Sequence, residues 1–370
     1  MNPILITSLR GALSLGLLIF AACKTPEETA GENGADTNSN NPKVAVLPET
    51  PHPSMGAVER LDPALDKLIA RDAIIEQLAD GFDWSEGPVW VRTKQGHEFL
   101  LFSDIPPNKI YKWSEQGGLE DFLHPSGYTG HVPRIGEPGS NGLLLDELGR
   151  LVLCQHGDRR IARLSNSLDN PRPEYETLAD KFEGKRFNSP NDGCFNNAGD
   201  LYFTDPPYGL PKNLKDPTKE LAFQGVFRLA KSGKVTLLTD KIKFPNGIAF
   251  SPDESILYVA ESGPQTRIHA FDVQDDGTLA NRRIFFDPAG LRAAGARGSC
   301  DGLKLDQHGN LFATGPGGVL IISPKGKHLG TLATGTRIAN VAWGNDGRTL
   351  YLTADSYLCR IRTKTKGVGF

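Results

Sequence analysis

An oxygen-bearing residue followed by glycine and then a short apolar run recurs along the chain. It appears as Glu86-Gly87-Pro88-Val89-Trp90, Asn141-Gly142-Leu143-Leu144-Leu145, Asp192-Gly193-Cys194-Phe195, Asn246-Gly247-Ile248-Ala249-Phe250 and Asp301-Gly302-Leu303. A sixth copy, Ala339-Asn340-Val341-Ala342-Trp343, carries asparagine where the others have glycine. Each copy leads through a turn into a second apolar run; after Asp192-Gly193, for instance, Asn196-Asn197-Ala198-Gly199-Asp200 precedes Leu201-Tyr202-Phe203-Thr204-Asp205. Alternating apolar residues on either side of an Asn/Gly/Asp turn read as a β-hairpin. The starting positions 86, 141, 192, 246, 301 and 339 are separated by 55, 51, 54, 55 and 38 residues. Short strands repeated at such a period cannot bury a face alone, and they close most naturally into a ring. The pattern predicts an all-β fold, a six-bladed β-propeller.

In a hairpin the chain returns to the end it left. The residue before each first strand and the loop after each second strand therefore lie at one face of the ring. Glu86, Asn141, Asp192 or its neighbour Asn191, Asn246 and Asp301 converge there from separate blades. The returning loops carry Ser103-Asp104, His156-Gly157-Asp158, Asp205-Pro206-Pro207-Tyr208 and Glu261-Ser262. Asn and Asp beside glycine are also ordinary turn residues, and Asn141 and Asp192 fit a structural role as well as a functional one. Glu86 and Asp301 differ, because no Lys or Arg occupies an equivalent pre-glycine position to offset a carboxylate in a narrow channel. Carboxylates mixed with neutral carboxamides suit a hard divalent cation, Ca²⁺ ahead of Zn²⁺ or Mg²⁺.

The chain begins differently. Residues 1–22 hold Arg10 and an apolar run ending Phe20-Ala21-Ala22, just before Cys23. That run is too short to span a bilayer and has signal-peptide proportions. The small-small-Cys ending resembles a bacterial lipoprotein signal. It leads to the expectation of an exported protein, anchored by lipid on Cys23, with Lys24 favouring the outer membrane. Residues 23–56 are polar and rich in Thr, Asn, Glu, Gly and Pro, the composition of a tether. Residues 57–370 remain for the propeller. Between Pro63 and Leu78 the pattern is briefly helical and then extended, and Ile74-Ile75 is expected to supply the outer strand that closes the ring. The formal net charge of −3 gives no footing for nucleic acid. Once Cys23 is set aside, Cys154, Cys194, Cys300 and Cys359 are compatible with free thiols or with one disulfide. No G-x-S-x-G, P-loop or H-E-x-x-H motif occurs. The Gly/Pro-rich segment from His124 to Gly139 reads as a lid over the channel mouth or as a plain surface loop.

Taken together, Glu86-Gly87-Pro88-Val89-Trp90, Ser189-Pro190-Asn191-Asp192-Gly193, Phe203-Thr204-Asp205-Pro206-Pro207-Tyr208-Gly209, Pro245-Asn246-Gly247 and Cys300-Asp301-Gly302 resemble the SMP-30/gluconolactonase family, in family order. The resemblance implies a six-bladed propeller that binds a divalent metal in its channel and hydrolyses a small-molecule lactone. By the same resemblance, Glu86, Asn246 and Asp301 are metal ligands and Asn191 completes the site. Asp301 also moves the proton by that resemblance; apart from it, Asn141 and the His156 and Tyr208 of the returning loops are candidates for contacting substrate beside Asn191. Ser189 stands where animal members carry arginine, so their substrate preference does not transfer. Two alternatives accompany this reading: an arylesterase using the same site, and a non-catalytic binding propeller with a structural cation.

Overall fold

The six hairpins form as the repeat requires, and each is extended outwards by two more strands. In the computed structural model, which describes residues 52–370, blade 1 is built from Ser85–Arg92, Glu98–Asp104, Lys109–Ser114 and Gly118–Leu123. The innermost strands of the other blades are Ser140–Leu145, Gly193–Phe195, Pro245–Phe250, Leu303–Leu305 and Asn340–Gly344. All pairings are antiparallel, and apart from the two closing strands described below they join strands that follow one another in the chain. The expected signal segment, Cys23 and most of the expected tether lie outside the described residues.

Ring closure comes from the N-terminal side. Strand Ile75–Asp80 pairs with Tyr357–Arg362 and completes blade 6, as the Ile74-Ile75 pattern anticipated. Ile75 is buried there, whereas Ile74 stays exposed. A second closing strand was not foreseen: Ala57–Arg60 adds to His328–Ala333 as a fifth strand of blade 5. The pairing reaches into the segment assigned to the tether, because Ser54 bridges Glu76. The helical expectation reduces to one short 3-10 turn, Pro63–Lys67, capped by Asp62. Its Leu65 and the following Ile69 are fully buried.

The core lies between blades. Phe187, Phe203 and Phe227 pack ring against ring at centroid separations of 5.2–5.5 Å. Burial of such apolar surface supplies most of the driving force for stacking one blade on the next. Cys154, Cys194, Cys300 and Cys359 are all free, so no disulfide joins these four.

Close packing at the axis explains the glycines. A Cβ on Gly247 would lie 2.2 Å from the Asp301 carbonyl oxygen, and one on Gly87 would lie 1.9 Å from that of Asn141. Only a residue without a side chain lets successive inner strands approach so closely. Hydroxyls stitch the same junctions. Ser103 donates to the Asn141 carbonyl at 2.8 Å, Thr204 to that of Asn246 at 2.8 Å, and Thr314 to that of Ala339 at 3.2 Å. In blades 1, 3 and 5 the second strand thus fixes where the first residue of the next copy sits.

Candidate active site

Carboxylates at the ends of second strands shape the loops that carry the site. Asp104 accepts from the Trp84 amide at 2.9 Å, which sets the approach to Glu86. Asp205 accepts from the amides of Asn188 and Ser189, both at 2.8 Å, which sets the approach to Asn191. Asp205, which the sequence places in a channel-facing loop, is therefore a buried brace for the backbone. Burial pushes its carboxyl up to about 7, against the pull of those two amides.

The braced loops open onto one cavity of about 640 Å³ at the pre-glycine face. Glu86, Asn141, Asn191, Asn246, Asp301 and Tyr208 all line it. Three oxygens there, Oδ1 of Asn141, Oδ1 of Asn191 and Oδ1 of Asp301, are buried without a hydrogen-bond partner. Asn246 donates through Nδ2 to Ser262 Oγ at 3.0 Å, and Ser262 gives its only proton to the Cys300 carbonyl at 2.6 Å. The amide end facing Ser262 must then be the NH₂, so the Asn246 oxygen is turned elsewhere. Buried oxygens without donors are costly unless something positive meets them.

Charge makes the same point. Glu86 is only 2% exposed; burial first, and then the Asp192 charge, pushes its carboxyl up to about 8. Asp301 is held well above the usual carboxylate range by burial and by the charges of Glu86, Asp192 and Glu137, with Arg337 opposing. Arg337 lines the cavity stacked over Trp84, its guanidinium 4.6 Å from the ring centroid. An all-oxygen set of two carboxylates and several carboxamides fits a hard divalent cation. Among the described residues no three His, Cys, Asp or Glu side chains cluster as a metal site, so the carboxamides are essential to that fit.

Two expected residues take other places. Asp192, Asn191's neighbour, points away from the cavity: Oδ1 accepts from Gly193 N at 2.8 Å and Oδ2 from Asn340 Nδ2 at 3.3 Å. His156 is fully buried behind Asn191, its Nε2 lying 3.5 Å from Asn191 Nδ2. Tyr208 lies in the cavity wall stacked on Phe244, and burial with the nearby Asp301 charge raises its phenol, keeping it a hydrogen-bond donor. Cys300 is buried and its thiol is pushed up to about 12 by burial, which removes it as a nucleophile. Sequence reasoning missed Trp84, Glu137, Arg337 and the hydrogen bond by which Ser262 orients the Asn246 amide. A further cavity of about 670 Å³ lies among the hairpin turns of blades 2 and 3, where Lys231 and Glu147 pair at 2.6 Å. It holds no unpartnered buried side-chain atom.

A propeller with an oxygen-lined pocket on its axis defines the class, and similarity to known proteins defines the family. Residues 84–356 match the model of the SMP-30/Gluconolactonase/LRE-like region. The chain belongs to that family. It is similar to the gluconolactonase of Zymomonas mobilis, at 36% identity over 97% of this chain and 98% of that protein. It is similar also to the lactonase drp35 of Staphylococcus aureus, at 28% identity over 66% of this chain and 67% of that protein. Among solved structures, a gluconolactonase from Xanthomonas campestris superposes with a TM-score of 0.71 at 30% identity, covering 85% of this chain and 99% of that one.

Proposed function

We propose that the chain opens a sugar lactone with a divalent cation held by Glu86, Asn191, Asn246 and Asp301. That it is a hydrolase acting on cyclic esters follows from its family and its similarity to gluconolactonases along nearly the whole chain. The observation that supports the cation is the set of unpartnered buried oxygens on Asn141, Asn191 and Asp301, beside a Glu86 carboxyl made unfavourable by burial and by like charge. Ca²⁺ suits the all-oxygen donors best, with Zn²⁺ or Mg²⁺ as alternatives. When bound, such an ion polarises the ester carbonyl, offsets charge developing on its oxygen and makes nearby water more acidic.

The chain's own residues do the rest. Asp301, held in the cavity wall, takes the proton of the attacking water as that oxygen bonds to the carbonyl carbon. It returns the proton to the ring oxygen as the ring C–O bond breaks, leaving a hydroxy acid. Tyr208, Asn141 and Asn191 orient substrate hydroxyls, and His156 holds Asn191 from behind. A lactone panel, run after exhaustive chelation and again with each ion restored, tests the reading. Activity should vanish on chelation and return with one ion, and full activity in chelator would sink the cation. Phenyl acetate in the same panel tests the arylesterase alternative. The chain is also proposed to be exported and held at a membrane through lipid on Cys23. Cys23→Ser should release it into the soluble fraction, and membrane retention of that variant would refute the anchor.

A further inference from the structure

Three arginines meet at one tripeptide of the loop returning from blade 2, Gly157-Asp158-Arg159. Arg134, from the Gly/Pro-rich segment, donates from Nη1 to the Gly157 carbonyl and from Nη2 to the Gly209 carbonyl in blade 3. Arg186 donates from Nη2 to the Asp158 carbonyl at 2.7 Å. Arg159 crosses the blade junction, with Nε on the Phe187 carbonyl at 2.7 Å and Nη1 on the Thr218 carbonyl at 2.8 Å. Every acceptor in this set is a neutral backbone carbonyl.

The set lacks a counter-charge. Arg159 is only 3% exposed, and its Nη2 has no hydrogen-bond partner; neither has the buried Nε of Arg134. Among the described residues no carboxylate lies within ion-pair distance of Arg134, Arg159 or Arg186. Asp158, the carboxylate on the tripeptide itself, is engaged elsewhere: its Oδ2 accepts from Thr129 Oγ1 at 2.7 Å and from Arg160 Nη2 at 2.9 Å. Burial holds the Arg159 guanidinium below the usual arginine range, and the Arg186 and Arg134 charges add to this, with Glu220 and Asp205 opposing. A buried cation short of both an acceptor and an opposite charge is costly to keep.

We propose that a small inorganic anion of chloride size binds at Arg159 Nη2, within the field of Arg134 and Arg186. It accepts the unpaired N–H and offsets three like charges gathered on one loop. A water molecule meets the first need and not the second. None of the three arginines lines the axial cavity, so the site is distinct from the lactone-opening one and does not depend on that reading. It does hold the neighbouring scaffold. Arg134 anchors the segment whose Glu137 lines the cavity, and Arg159 anchors Phe187 in the loop that leads to Asn191.

The test is urea unfolding of the full chain in chelator, at constant ionic strength, with sodium chloride replaced stepwise by sodium methanesulfonate, whose anion is bulkier. Once the site fills, the unfolding equilibrium constant should fall about tenfold for each tenfold rise in chloride, because the ion binds only the folded state. Arg186→Gln keeps both Arg159 carbonyl contacts, and it should move that response to roughly tenfold higher chloride. Arg159→Met should abolish the response. Where Arg159→Met does not fold, a crystal of the parent soaked in bromide decides, with an anomalous peak expected beside Arg159 Nη2. Identical unfolding in the two salts, a chloride response unchanged in Arg186→Gln, or a bromide-soaked crystal without that peak overturns the site.

Discussion

Replacing Glu86 by glutamine should stabilise the cation-free protein at alkaline pH while abolishing most of its stabilisation by the ion. The substitution keeps the shape, and its oxygen can still accept from Gly87 N, as Glu86 Oε2 does at 3.0 Å. What it removes is a charge that the fold holds at a cost. A carboxyl raised in the fold contributes stability that is full below its unfolded pKa and is lost as pH rises through the folded one. For Glu86 that window runs from the ordinary 4.5 to about 8. The difference corresponds to about 5 kcal/mol at roughly 1.4 kcal/mol per tenfold change in acidity. Part of it is repulsion shared with other carboxylates, so the expected gain for Glu86→Gln in chelator at pH 8.5 is about 2–5 kcal/mol. At pH 4.5 parent and variant should have nearly equal stability, since both side chains are then largely neutral. Urea unfolding followed by tryptophan fluorescence from pH 4.5 to 8.5, in chelator and with saturating Ca²⁺, measures this. With the ion present the order should reverse, because a ligand that binds only the folded state stabilises it by mass action. A parent–variant gap that does not change with pH, or a variant less stable than the parent in chelator at pH 8.5, would refute the argument.

Two other substitutions separate chemistry from scaffold. Asp301→Asn should lower kcat by roughly 10²–10⁴ with no recovery at saturating ion, whereas Asn246→Ala should recover most of its activity there; near-parental turnover of Asp301→Asn would place the base elsewhere. Asp205→Asn sets an NH₂ against one of two backbone amides that now both find an oxygen, and it should destabilise the fold by about 1–3 kcal/mol in urea unfolding. Because the Asp205 carboxyl is raised to about 7, its own contribution is full below 3.8 and fades up to pH 7, so the penalty for Asp205→Asn should be largest at acid pH.

The repeat made the ring legible because Gly87, Gly142, Gly247 and Gly302 answer one local need, the close approach of the next blade's inner strand, at the same place in their copies. Ile75 was readable for a similar reason: an apolar extended residue before the first blade needs an open edge to cover it, and blade 6 has one. Ala57–Arg60 gave no such sign, since Ala-Val-Glu-Arg has no strand signature apart from the partner it finds far along the chain. The choice of Asn191 over Asp192 came from the family resemblance, because the repeat by itself offers both. Adjacent side chains point to opposite sides, and only the placement of Thr204 and Asn340 decides which of the two reaches the cavity. Glu137, Trp84 and Arg337 sit on loops without period or motif, and long-range contacts alone bring them to the site.

The one copy that breaks the repeat joins two blades across the ring. Asn340 takes the glycine position in blade 6, and its Nδ2 donates at 3.3 Å to Asp192 Oδ2 in blade 3. In a six-membered ring those blades face each other, so this hydrogen bond crosses the channel. Its Oδ1 accepts from Val341 N at 2.9 Å, which fixes the amide's orientation. A glycine there would leave the Asp192 carboxylate without that donor and would remove the Asn340 hydrogen bond that pulls the Glu86 carboxyl down. With Asn340 in place, the crossing pair spans the axis and ties up one Asp192 oxygen, while the unpartnered oxygens of Asn141, Asn191 and Asp301 are left to the cavity. The departure from the repeat therefore ties opposite blades together across the ring.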